Sequence, residues 1–451
     1  MKNPALWQDF LFLSTSVLHF PQILHTLKEE FLQYVWKFQK FDTSNLQTTD
    51  GEIVEVISPG LHNFDSGPDF FNGTIRIGAQ QWAGNIEVHV LSSLWYSHGH
   101  DRDPAYDNVV LHVVWRHDRV VFRNNNAEIP TIELENRVPA LAISNYQRLY
   151  SGMHRWIPCE ADFSRVDNLI YKNWLDLLFI ERMEQRTDRY ASVLLKLKND
   201  WEALLFRELC ISFGTKVNKE AFGSIADSVD FSLVRKLSKE KGQLEALLLG
   251  QSALLEDDSG DEGYMKFRND YLFLKRKFQL DNSTVIPSKF FRLRPTNFPT
   301  VRLSQLANLY ENRPRLFSDI IDVEGIDEYY QLFEAMASSY WDTHFSFGNE
   351  HKRRAKPISR KFKDHLLINV VMPVKFYYLR HNGFADDEEM LNLAAQLQPE
   401  KNQIISKFER LGKETGNILE SQALLQLKNK YCAKKRCLQC RIGSEVLGKE
   451  L

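Results

Sequence analysis

The hydrophobic period of this 451-residue chain changes once, and the change divides it. From Gly51 to about Glu135 apolar residues alternate with polar ones, which is the period of a half-buried strand. The alternation predicts strands over 52–57, 73–77, 81–90, 108–115, 119–122 and 131–134. Turn residues separate them, among them Pro59-Gly60, Asp65-Ser66-Gly67 and Asn124-Asn125-Asn126. The run Val109 to Trp115 is apolar on both faces, as a central strand is. After Pro139 the alternation stops and helical spacing takes over to the end. The fold class is therefore an α/β module with a mixed sheet, followed by a larger all-α region.

Ahead of the strands, Leu24, Leu27, Phe31, Tyr34, Val35 and Phe38 stand at helical spacing. The expected organisation is N-terminal helices over 1–45, an α/β core over 46–150, and a helical domain over 151–451 with a cysteine cluster near its end. Residues 1–20 carry Gln8, Asp9 and only Lys2 as a positive flank, which makes a poor signal peptide. No later run is long enough to span a bilayer, so a cytoplasmic protein with no membrane partner is expected. A net charge of −2 gives no global attraction to nucleic acid, and any such binding must come from local patches.

Chemistry concentrates in Ser66-Gly67-Pro68-Asp69-Phe70 and Asn85-Ile86-Glu87-Val88-His89-Val90. Strand alternation puts Glu87 and His89 on one face, with Ile86, Val88 and Val90 on the other. A turn-borne carboxylate plus a carboxylate and a base on one strand face can hold a divalent cation over a phosphate ester. Mg²⁺ or Mn²⁺ is the expected ion. Asp69, Glu87 and His89 are the candidate catalytic residues, and Glu30 on the preceding helix is a candidate further acid. His98-Gly99-His100 follows closely, and both imidazoles are candidate ligands in the same cleft. His112, inside an apolar strand, reads as a hydrogen-bonded core histidine.

Five cysteines, an odd number, do not make a secreted disulfide framework. Cys432, Cys437 and Cys440 are three thiols within nine residues. Structural Zn²⁺ or an iron–sulfur cluster needs four ligands, and Cys159 is the better candidate for the fourth. Cys210, between Leu209 and Ile211, reads as packing. Basic residues gather over 351–363 and around the late cysteines, at Lys428, Lys430, Lys434, Lys435, Arg436 and Arg441. Such segments suit a phosphate backbone.

The order helix, strand, Pro-Asp, strand, Glu-x-base strand, helix, strand resembles the core of the PD-(D/E)xK nuclease superfamily. Asp69 matches the motif's Asp and Glu87 its second acid, while His89 stands where that superfamily usually has Lys. The resemblance implies a restriction-endonuclease-like core and a metal-dependent phosphodiesterase acting on DNA or RNA. With Lys replaced, a non-catalytic protein of that fold binding nucleic acid or a protein partner is the alternative. A metal-dependent hydrolase of small molecules, centred on His98 and His100 in an enclosed pocket, is a third. Over nearly its whole length the chain also looks like a bacterial family catalogued as a domain of unknown function. The segments that carry this include Trp82 to His89, Trp95 to His100, Leu111-His112-Val113-Val114, Arg292 to Arg302, Ser421-Gln422-Ala423-Leu424 and Tyr431 to Gly443.

Overall fold

A computed structural model describes residues 27–384 and 387–448. The helices expected before residue 27 lie outside the described residues. The chain forms two units. The first takes the described residues up to Trp174, with Leu411–Lys413 and the described residues from Leu427 onward; the second takes Leu175–Arg410 and Glu414–Gln426. The cysteine-bearing tail thus belongs to the unit that holds the sheet.

Six strands form that sheet: β1 (Val54–Ser58), β2 (Leu61–His62), β3 (Phe70–Ile77), β4 (Gln80–Leu91), β5 (Val109–Arg116) and β6 (Thr131–Glu133). The spatial order is β1-β3-β4-β5-β6, with β2 paired to β3. β1, β3 and β4 run antiparallel, whereas β5 lies parallel to β4 and β6 parallel to β5. The sheet is mixed, as its sequence order predicts, and β5 is buried from Val109 through Trp115. Parallel neighbours need a crossover. Here it is short: α2 (Leu94–Ser97) and two 3₁₀ turns, His100–Arg102 and Pro104–Tyr106.

Over the sheet lies α1 (Glu29–Lys37), which packs against β4 and β5. It buries Phe31, Leu32, Val35 and Trp36, an i, i+1, i+4, i+5 stripe. Its first turn carries Glu29 and Glu30, where the helix dipole favours negative charge. Further on, α3 (Ala140–Ser151) meets the Arg441–Gly448 helix, where Asn145 donates to the Leu447 carbonyl at 3.2 Å.

The strand expected at 119–122 does not form. The Asp118 carboxylate accepts from both the Ser92 and Ser93 hydroxyls and from the Ser93 amide, at 2.7–2.9 Å, which bends the chain away from the sheet. Only Phe122 pairs, in an isolated bridge to Glu128. The two-residue β2 has too little alternation to be read from sequence.

The second unit is mostly helical, as the loss of alternation requires. In its interior the buried Glu245 carboxylate accepts from Trp341 at 2.7 Å and Ser338 at 2.9 Å. Pro373 lacks an N–H and would clash with the carbonyl four residues back. A π-helical turn at Leu367–Val371 precedes it and absorbs the misfit. In the basic segment over 351–363, Lys356 is spent on the Trp341 carbonyl and Lys363 on that of Tyr330. Among the described residues, no helix is long and apolar enough to cross a membrane.

Candidate metal centre

Asp69 enters the site from a turn organised by one side chain. The Asn63 amide donates to the carbonyls of Asp65, Ser66 and Pro68, while its oxygen accepts the Asp65 N–H. Gly67, at φ +100°, supplies the left-handed step that closes this turn. Asp69 is thereby set at the start of β3, beside β4. Its carboxylate accepts from the Val88 amide at 3.1 Å and from Gln33 of α1 at 2.8 Å. Its own N–H donates to Glu87 Oε2 at 3.0 Å.

Glu87 and His89 do share a face of β4, and that face is buried. Glu87 Oε1 lies 3.5 Å from His89 Nε2 and 3.3 Å from His100 Nε2. His89 Nε2 lies 3.1 Å from His98 Nδ1. The three imidazoles of His89, His98 and His100 each direct a ring nitrogen into a space where all three lie within 4.8 Å of one another. His98 and His100 can converge because Gly99 between them takes φ +78°. Trp95 meets the His100 ring edge-on at 5.4 Å, and Tyr106 stacks on it at 3.7 Å, which fixes its plane.

Behind this group, His89 Nδ1 is 2.8 Å from Nε2 of the fully buried His112. His112 pairs in register with Glu87 across the parallel β4–β5 ladder, so the strand pairing aims it. It is the hydrogen-bonded core histidine the sequence indicated, and it orients His89. With His89 donating through Nδ1, its Nε2 lone pair faces the cluster, an arrangement typical of metal-bound histidine.

Glu30 accepts from the Tyr150 hydroxyl at 3.2 Å and lines the same cleft as Asp69. Its neighbour Glu29 is the helix acid that faces the cluster, within the electrostatic reach of His98 and His100 and bonded to the Val90 amide. Sequence reading missed Glu29.

Burial dominates the electrostatics of this group. Burial raises the Asp69 carboxyl, and Glu87 repels it further, to about 8. Burial raises Glu87 likewise. His89 is pushed far down by burial and by the neighbouring imidazoles, so it is neutral at physiological pH, the state that ligates a metal. His100 Nε2 is buried and has no hydrogen-bond partner. An orphaned nitrogen aimed at a carboxylate and two more imidazoles fits a divalent cation. His89, His98 and His100 could hold such an ion, with Glu87 Oε1 beside two of them; imidazoles suit Mn²⁺, Fe²⁺ or Zn²⁺ better than Mg²⁺.

Asp69 also lines a cleft of about 840 Å³, whose walls carry Lys37, Lys434, Lys435, Arg436 and Arg441. Four of these cations come from the tail of the chain. The aromatic rings of Phe38 and Phe64, 47 % and 65 % exposed, lie along the same cleft.

Cys159, Cys432, Cys437 and Cys440 gather around a separate small cavity in the same unit. Cys210 does not; its Sγ donates to the Phe222 carbonyl at 3.0 Å in the helical unit.

Residues 29–403 match the model of a family described as "Protein of unknown function (DUF2851)". No curated protein and no solved structure matches the chain.

Proposed function

We propose that this chain, which belongs to the DUF2851 family, is a metal-dependent phosphodiesterase of nuclease type acting on DNA or RNA. The observation that carries the reading is Asp69. It touches the carboxylate–imidazole cluster on one side and lines a cleft with five cationic side chains on the other. An open cationic cleft suits a polyanionic strand, whereas the small-molecule alternative calls for an enclosed pocket.

A divalent cation at Glu87, His89, His98 and His100 would lower the pKa of a bound water and offset charge on the phosphate. His112 keeps His89 in the ligating tautomer, and Trp95 and Tyr106 hold His100 in place. Glu29 and Asp69 stand as further acids beside the cluster. Lys37, Lys434, Lys435 and Arg436 neutralise the strand, and Phe38 and Phe64 offer faces for unpaired bases. His89 thus acts as a ligand and does not stand in for the lysine usual at its position. The charge such a lysine supplies falls to the cleft.

The test is cleavage of labelled single- and double-stranded oligonucleotides by purified protein with Mn²⁺, Zn²⁺ or Mg²⁺. Cutting that needs the metal and stops with chelator is the expected result. Tight binding of both metal and oligonucleotide without cutting would overturn it in favour of a binding protein. Replacing Lys434 and Arg436 together by Ala should weaken binding about tenfold and lower the salt dependence by about two charges. An unchanged salt slope would remove the cleft from the reading.

A further inference from the structure

The four gathered cysteines come from distant parts of the chain and from different local structures. Cys159 follows the Ile157-Pro158 turn, and Cys432 ends a π-helical turn, Leu427–Cys432. Cys437 opens the 3₁₀ turn Cys437–Gln439, and Cys440 immediately precedes the Arg441–Gly448 helix. All four are free thiols. Four reduced thiols converging across 273 positions of sequence, from 159 to 432, is an arrangement packing alone does not require.

Two features shape the place around the sulfurs. The Ile442 and Gly443 amides, at the start of the last helix, are bonded to Cys440 Sγ and partly offset the burial that raises its thiol. Gly443 also lies so close to the Cys437 peptide that a Cβ there would sit 2.0 Å from the Cys437 carbonyl oxygen. Only glycine lets the C-x2-C turn close on its helix. The rest of the cavity is apolar, with Pro158, Phe163, Leu427 and Ile442 in its wall. Four sulfurs converging in such a wall can act together as thiolate ligands once a cation offsets their charge.

We propose that Cys159, Cys432, Cys437 and Cys440, which line one small cavity, bind a thiolate-held metal centre, a zinc ion or an iron–sulfur cluster, which ties the tail of the chain to the Ile157-Pro158 turn. Cys440 also lines the cationic cleft, and Arg436 and Arg441 lie beside the ligands in sequence. The centre therefore fixes the rim of that cleft, a role that does not depend on whether the cleft belongs to a nuclease.

The full chain, purified without oxygen, should carry bound metal at the cysteines, either iron with an equal amount of acid-labile sulfide or a zinc ion without sulfide. Cys159→Ser and Cys437→Ser should each lose most of that metal, while Cys210→Ala retains it. No zinc and no iron would overturn the proposal; this is read on the unmutated protein, so misfolding of a variant does not blur it. Full metal in Cys159→Ser would overturn the assignment of the fourth ligand.

Discussion

Replacing Glu87 by Gln should reduce metal-dependent cleavage by about 10³-fold, while making the metal-free protein more stable. The first effect follows from position. Glu87 presents Oε1 to His89 and His100 and Oε2 to the Asp69 amide, so it is the anionic member of the donor set and the link to Asp69. Gln keeps the shape but removes the charge, and losing one electrostatic contact of this kind typically costs 10²–10³ in rate, with metal affinity falling as well. The second effect has the opposite sign. A carboxyl whose folded-state pKa lies above its unfolded value binds its proton more tightly when folded. Burial places the Glu87 carboxyl in that position, raised from 4.5 to about 8. Metal-free protein should therefore lose stability as pH rises through that interval, and the neutral Gln should escape the loss. Thermal melts in chelator at pH 5 and pH 8, beside rates and calorimetric Mn²⁺ titrations, would show both. Unchanged cleavage in the variant would remove Glu87 from the chemistry. A metal-free melt lower than that of the parent at pH 8 would show that the carboxylate is held by partners other than a metal.

Gly443→Ala should destabilise the sheet-bearing unit by about 3 kcal/mol, at the upper end of overpacking costs. The added methyl would meet the Cys437 carbonyl oxygen at 2.0 Å and its carbon at 2.9 Å. Both are backbone atoms and have no rotamer in which to escape. The helix or the cysteine turn must move, and with it Arg441 and Ser444, which line the cleft. Thermal melting and oligonucleotide affinity should fall together. Gly448→Ala is the matched control, because its added methyl meets nothing within 4 Å. Equal melting temperatures for the two variants would show that the turn is loose and the close approach unimportant.

Local pattern made much of this legible, and the misses share one cause. Glu87 and His89 were found because alternation is a property of four consecutive residues. The mixed sheet and the loss of strands after Pro139 were legible for the same reason. Glu29 was missed in favour of Glu30 because helix phase, fixed only by where α1 packs on β4, decides which of two adjacent acids faces inward. The bond from His112 to His89 depends on the β4–β5 register, which no local pattern encodes. The strand expected at 119–122 lost to Asp118 and two serines some 25 residues upstream. Basic residues near the end of the chain carried no sign that they return to the sheet.

That return has a consequence in time. The imidazole cluster is complete once residue 112 is made, but the cationic rim waits for residues 434–441. Roughly 250 residues of the helical unit are synthesised between Trp174 and Leu427. At about 5–20 residues per second a nascent chain spends tens of seconds in that interval. During it the chain would carry the imidazole cluster without the four cations of the tail. An interrupted product, ending anywhere in the helical unit, would lack that rim altogether.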